Sequence, residues 1–164
     1  MKNLFIKRQI KTFKDGIQLK SYPSSIENIG LVFSEAGLPD HSFTDKLRAC
    51  FGKNVSIHKF SVSNKSDSSD LVLLNKKVFN LFGKLKDPKI SEILKDLDVI
   101  IDMSFKNNII KSFAFNLSVK SYKIAMGRQH NDFFHLTINV ERGQYDVFAE
   151  EIIKYHKILS HVKK

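Results

Sequence analysis

An open α/β sheet with helices on both faces is the fold this chain predicts, on three observations. Short apolar runs alternate with stretches whose apolar residues recur at helical spacing. One of those runs, Asp98-Val99-Ile100-Ile101-Asp102-Met103, is continuously apolar between its two aspartates, as a strand covered on both faces must be. From Asp87 to Gly127 the order helix, strand, helix, strand recurs with short connections, which implies parallel pairing through crossovers. The expected architecture is a three-layer open sheet of about five strands, mostly parallel, Rossmann-like or flavodoxin-like, with basic N- and C-terminal helices.

The elements follow in order. Residues 1–20 place Ile6, Ile10, Phe13 and Ile17 on one helical face, with basic residues over most of the rest. Asp15-Gly16 is a break and Tyr22-Pro23-Ser24-Ser25 reads as a linker. The chain therefore divides into a basic amphipathic appendage, 1–22, and a single α/β domain, 23–164. Ile29–Phe33 is the first strand. Asp40 or Ser42 can cap a helix over 43–51 that Gly52 ends, with Phe43, Leu47, Cys50 and Phe51 facing inward. Val55–Val62 alternates, as a strand with one wetter face does. Leu71–Leu74 is a short strand, and 75–86 has no decisive period. Asp87-Pro88 opens a helix with a cap and a first-turn proline, and Ile90, Ile93, Leu94 and Leu97 form its stripe. Strand 98–103, a helix through Ile109, Ile110, Phe113, Ala114 and Leu117, and strand 122–127 come next. Phe134–Val140 is a last strand, and a helix from Gln144 to about His161 closes the chain.

Bulk composition bounds the rest. A chain of 164 residues with 14 Phe can bury roughly two-thirds of its unfolded surface and needs no covalent staple. Cys50 is its only cysteine, which excludes an internal disulfide and a cysteine-based zinc cluster and suits a reducing compartment. No apolar run approaches the about 20 residues of a membrane span, and the three-residue run Leu4-Phe5-Ile6 is too short for a signal peptide. The expected location is the cytoplasm.

Charge is unevenly placed. The net +10 comes almost entirely from the ends. Lys2, Lys7, Arg8, Lys11, Lys14 and Lys20 against Asp15 give +5 in residues 1–22. Lys154, Lys157, Lys163 and Lys164 give +4 in 154–164, and the body between is at +1. Such placement bears on partners and not on fold. Bases at the two ends can contact phosphates and give non-specific, salt-dependent binding. The candidate contacts to nucleic acid or another anion are Lys2, Lys7, Arg8, Lys11, Lys14, Lys154, Lys157 and Lys163. A solvated polar face is the plainer explanation of the same lysines. A membrane surface carries less weight, because the apolar face beside Lys2, Lys7, Lys11 and Lys14 is modest and no lipidation signal is present.

Catalytic motifs are largely absent. The chain has no glycine-rich phosphate loop, no nucleophile elbow and no His-Glu-x-x-His pattern among its six histidines. No metal, cofactor or catalytic residue is therefore assigned. Cys50, among Phe43, Leu47 and Phe51, reads as a small buried hydrophobe before it reads as a nucleophile. The carboxyl ends of the strands are where open α/β sheets bind ligands. They supply Ser34 and Glu35, then Asp102 and Ser104, then Gly127, Arg128, His130, Asn131 and Asp132. Arg128 can pair with a phosphate or carboxylate, and Asp102 and Asp132 can orient it or handle a proton. The candidate ligand site is Asp102, Ser104, Arg128, Asn131 and Asp132; polar turns and caps are the plainer explanation of the same residues.

From Ile29 to Leu159 the chain resembles an uncharacterised family of small α/β proteins from the Bacteroidota, a domain of unknown function. The likeness rests on Gly30-Leu31-Val32, Phe82-Gly83-Lys84-Leu85-Lys86, Asp98-Val99-Ile100-Ile101-Asp102 and Lys120-Ser121-Tyr122-Lys123-Ile124. It continues in Asn131-Asp132 and in Glu151-Ile152-Ile153-Lys154-Tyr155-His156-Lys157-Ile158-Leu159. The chain departs from the family pattern at Ala125, where a glycine is usual, and at His156, where a leucine is. The resemblance implies the fold and no activity. The leading expectation is a non-catalytic binding protein that engages RNA or a ribosome through its basic ends. The alternative is a small-molecule or enzyme domain working at the strand ends.

Overall fold

The strands are β1 (Asn28–Phe33), β2 (Ser56–Ser61), β3 (Leu71–Leu73), β4 (Val99–Asp102), β5 (Tyr122–Met126) and β6 (Leu136–Ile138). All pair in parallel within one sheet, in the order β3-β2-β1-β4-β5-β6. That order is the Rossmann one and not the flavodoxin one, and the strand order switches sides between β1 and β4. The computed structural model describes residues 21–34, 41–63, 71–80, 84–105, 109–127 and 134–161. The expected N-terminal helix and the candidate residues Lys2, Lys7, Arg8, Lys11, Lys14, Arg128, Asn131, Asp132 and Lys163 lie outside them.

Four α-helices cover the sheet: α1 (His41–Phe51), α2 (Pro88–Asp96), α3 (Ile109–Leu117) and α4 (Tyr145–His161). Side-chain alternation assigns them to faces. Ile29, Leu31, Phe33, Val99, Ile101, Met103, Ile124 and Met126 form one core with Phe43 and Leu47 of α1 and Phe148 and Ile152 of α4. Val32, Phe60 and Ile100 form the other with Leu94 of α2 and Ile110, Phe113 and Phe115 of α3. β4 is buried along its whole length, as its apolar run requires.

Local chemistry sets the boundaries. Asp87 caps α2 by accepting from the Lys89 backbone N–H at 2.9 Å, with Pro88 in the first turn. Gly52 ends α1 at φ +120°, its N–H donating to the Arg48 carbonyl at 3.0 Å. Ser42 lies inside α1, so it is not the cap of that helix, and Asp40 is outside the described residues. The stretch 75–86 resolves into a 3₁₀ turn at Lys76–Val78, capped by Asn75, and a bridge between Phe79 and Leu85. The sheet has six strands where about five were expected, and the two edge strands are three residues each. Edges that short offer little unpaired backbone to another chain.

Tyr22, placed by sequence at a linker, sits in the core of the α1–α4 face. Its ring meets Tyr122 edge-on at 5.0 Å between centroids, and its hydroxyl lies 2.8 Å from His156 Nδ1 in α4. Tyr22 thus packs beside the last helix. Among the described residues no helix is long and apolar enough to cross a membrane.

Candidate functional site

Two places combine position and charge. The first is the carboxyl end of the sheet at the β1–β4 reversal. Val32 pairs with Asp102, and continuing that register by two residues brings Ser34 level with Ser104. Asp102 ends β4 on the face of α2 and α3 and is fully buried. Its Oδ1 accepts the Ser104 backbone N–H at 2.9 Å and the Ser104 hydroxyl at 2.6 Å. Its Oδ2 accepts from Lys111 Nζ at 2.7 Å, and Lys111 also donates to Ser104 Oγ at 3.0 Å. Lys111 is 1 % exposed in the first turn of α3, and its ammonium lies 6.0 Å from the Phe115 ring centre. Burial without water makes such a cluster stable only when every member is paired, and here the three side chains satisfy one another.

That arrangement decides what the cluster can do. A serine beside a lysine is a known nucleophile–base geometry. In this chain Lys111 donates to Ser104, and the serine proton is committed to Asp102. These bonds tie the three side chains to one another, and the trio acts as a clamp. The clamp turns the chain sharply where β4 ends: the bond from Ser104 N–H to Asp102 is an Asx turn. Phe105 follows at φ +51°, a conformation that bulky residues rarely hold. The Phe105 ring lies on the backbone of Gly127, where a methyl group would stand 2.4 Å from Phe105 Cε1. Gly127, at φ +75°, is a glycine for both reasons.

The second place is the surface between α1 and α4. Phe43 stacks with Phe148 at 6.3 Å, and Leu47 and Ile152 complete the buried seam. Outside it runs an open groove of about 450 Å³, lined by Lys46, Cys50, Ile153, His156, Lys157 and His161. α4 is polarised along its length: Asp146, Glu150 and Glu151 lie in its first half and Lys154, Lys157 and His161 in its second. Acids at the start and bases at the end both complement the helix dipole. Lys46 bridges from α1 to Asp146 at 2.6 Å and to Glu150 at 3.8 Å. The hydrogen bond and charge from Lys46 hold the Asp146 carboxyl below its usual range. Lys154 pairs with Glu151 at 3.2 Å, whereas Lys157 has no acid partner among the described residues.

His156 connects that surface to the core. It lines the groove, meets Phe51 edge-on at 4.6 Å and binds the Tyr22 hydroxyl. Burial, with His161 adding, lowers its pKa below the ordinary imidazole value. Burial also pushes the Tyr22 phenol far up, helped by Cys50 and Tyr122. The Cys50 thiol is raised by burial and partly pulled back by Lys157. A thiol above its usual pKa is a poor nucleophile, but Cys50 is half-buried and lines the groove, where the sequence placed it in the buried face of its helix.

Of the residues singled out by sequence, the structure brings Asp102 and Ser104 together and leaves Lys154 and Lys157 on one exposed helix face. Sequence reasoning passed over Lys111. Its signal was available: it is the lone cation in Ile109-Ile110-Lys111-Ser112-Phe113-Ala114-Phe115, too apolar all round for a surface helix. Among the described residues no group of three or more His, Cys, Asp or Glu could hold a metal ion.

A family model described as a family of unknown function, DUF6913, matches residues 2–159. The chain belongs to this family. No curated protein matches it. Among solved structures it is similar to an exopolyphosphatase-related protein from Bacteroides fragilis, at 13 % identity and a TM-score of 0.48. That likeness covers 92 % of this chain and 42 % of the other.

Proposed function

We propose that this member of the family is a non-catalytic cytoplasmic protein that binds RNA or a ribonucleoprotein such as the ribosome through its basic ends. The observation that supports the reading is the Tyr22–His156 contact. Residues 1–22 carry +5 and residues 154–164 carry +4, and the last residue of the first segment is bonded to a residue of the second. Basic segments acting together can engage one polyanion, whereas the same charges on opposite faces would serve only solubility. The remainder is near neutral, at +1. The single cysteine suits a reducing compartment. Sedimentation with RNA or ribosomes at low salt, released by raising the salt and lost on deleting residues 1–20, is the expected result. A chain that sediments as a free protein at every salt concentration does not have this function.

A second reading is favoured by the order of the strands. A parallel sheet whose strand order switches sides between β1 and β4 has its crevice at the carboxyl ends, where Ser34, Ser104 and the Asp102–Lys111 clamp lie. There the chain would hold a small phosphorylated or carboxylated ligand, for which Arg128, just after β5 in the sequence, is the candidate cation. A panel of nucleotides and phosphorylated metabolites should then raise the melting temperature, and Arg128→Ala should abolish the rise. A panel that shifts nothing removes this reading.

A further inference from the structure

A second groove, of about 320 Å³, opens where α2 and α3 end, at the opposite edge of the sheet from the strand carboxyl ends. It is lined by Lys95 in the last turn of α2, by Asn116 and Leu117 at the end of α3, and by Val119 and Lys120 in the turn that leads to β5. Among the described residues no acid lines it. Lys120 Nζ reaches Asp98 only at 3.6 Å and Asp96 only at 3.9 Å, and the other oxygen of Asp98 already accepts the Glu27 and Asn28 backbone N–H groups. Lysines at helix carboxyl ends complement the helix dipole, and that alone accounts for their presence. It does not account for Asn116. This side chain is 4 % exposed, and its Nδ2 is buried with no hydrogen-bond partner. Among the described residues it is the single buried side-chain nitrogen or oxygen left so. A buried donor without an acceptor carries its full desolvation cost, which an apolar residue of the same shape avoids.

We propose that this groove binds a small carboxylate with an apolar tail, the carboxylate accepting from the Asn116 amide and compensated by Lys95 and Lys120, the tail laid on Leu117 and Val119. An amide donor and two ammonium groups call for an anionic acceptor. Rotation about the last torsion of an asparagine is soft, so an oxygen arriving in the groove can draw the NH2 group to it. Leu117 is half-buried and Val119 is 53 % exposed, one of three large hydrophobic side chains so open among the described residues. Phosphate, hydrated all round, would leave both uncovered, and a neutral apolar molecule would leave the amide without an acceptor. The volume suits a ligand of a few carbons, at the small end of the range for such sites. The site shares no residue with the basic ends or with the Asp102–Lys111 clamp, so it stands or fails independently of both.

The test titrates hexanoate into the full chain and follows the Asn116 side-chain NH2 and Val119 methyl signals by NMR. Both should shift together and saturate. Hexanol, with the tail and no charge, and acetate, with the charge and no tail, should each bind more weakly. Lys95→Ala and Lys120→Ala should each weaken hexanoate by about twofold, as partly exposed charge contacts do, and Lys89→Ala, at the far end of α2, should change nothing. Asn116→Leu should raise the urea midpoint, since it removes the unpaired donor, and should weaken hexanoate by at least about tenfold on the Val119 signals. Asn116 signals that stay unmoved by hexanoate overturn the proposal whatever the variants do. Acetate binding as tightly as hexanoate overturns the apolar tail, and hexanol binding as tightly overturns the carboxylate. Hexanoate that shifts Val119 equally in Asn116→Leu lies on the surface and not on the amide, which also overturns the site.

Discussion

Lys111 and Lys157 are the same residue in two opposite settings, one on each side of the sheet. Lys111, on α3, is sealed from water and donates to Asp102 and Ser104. Lys157, on α4, lines an open groove and has no acid partner among the described residues. The sealed lysine holds the backbone at the end of β4 and offers nothing to a partner. The open one contributes little to the fold and leaves its charge available. A buried charge is retained only when its bonds are complete, whereas a solvated charge costs almost nothing to leave unpaired. In this molecule the residues most expensive to change are thus distinct from those that face a binding surface.

The contrast breaks most visibly at Asp102. Asp102→Leu leaves Lys111 buried and uncompensated and should lower stability by about 3–5 kcal/mol in urea unfolding. The double change Asp102→Leu with Lys111→Met should restore much of that loss, since no charge is then stranded. A single change as mild as the double one would mean that water reaches the clamp.

Next in size is Gly127→Ala. The added methyl stands 2.4 Å from the Phe105 ring at a backbone φ of +75°, and it should cost about 1–3 kcal/mol. Phe105→Ala in the same chain should recover the steric part of that cost and leave the backbone part.

On the other side of the sheet the effects shrink. Tyr22→Phe removes the bond to His156 and should cost about 1 kcal/mol, read as a shift in urea midpoint. His156 also sets a pH dependence. Burial lowers its folded-state pKa below the unfolded value near 6.5, so the unfolded chain binds more protons. Stability should then fall as pH drops through that unfolded value and level off below the folded one. His58 in β2, lowered by burial, acts in the same direction. His156→Phe should flatten part of this dependence between pH 7 and 5; an unchanged profile would show that the imidazole is not held neutral.

The smallest effect belongs to the exposed pairs. Lys46→Ala should leave the unfolding midpoint nearly unmoved, because surface ion pairs contribute little. It should still raise the Asp146 carboxyl toward its ordinary pKa in an NMR titration, since Lys46 is the main cause of its lowering.

Much of the fold was legible in the chain. The unbroken apolar run of Val99–Ile101 announced a central strand, and burial on both faces of β4 agrees. Asp87-Pro88 and Gly52 marked helix ends through bonds made within a few residues, which is why they could be read locally. The candidate site was legible in part. Asp102 and Ser104 stood out because they end a strand, and their mutual bond spans two residues. The contact between Tyr22 and His156 spans 134 residues, and no local pattern signals it. Tyr22 beside Pro23 looks like any linker until the last helix is folded against it.

By itself, then, the sequence determined the alternation of strands and helices, the parallel sheet and the concentration of charge at the two ends, because periodicity, caps and charge counts are properties of neighbouring residues. Tertiary structure alone decided the strand order, the sealing of Lys111 against Asp102, and the meeting of Tyr22 with α4. Each of those depends on which distant segments share a face of the sheet, and burial, which sets whether a charge must be paired, exists only once they do.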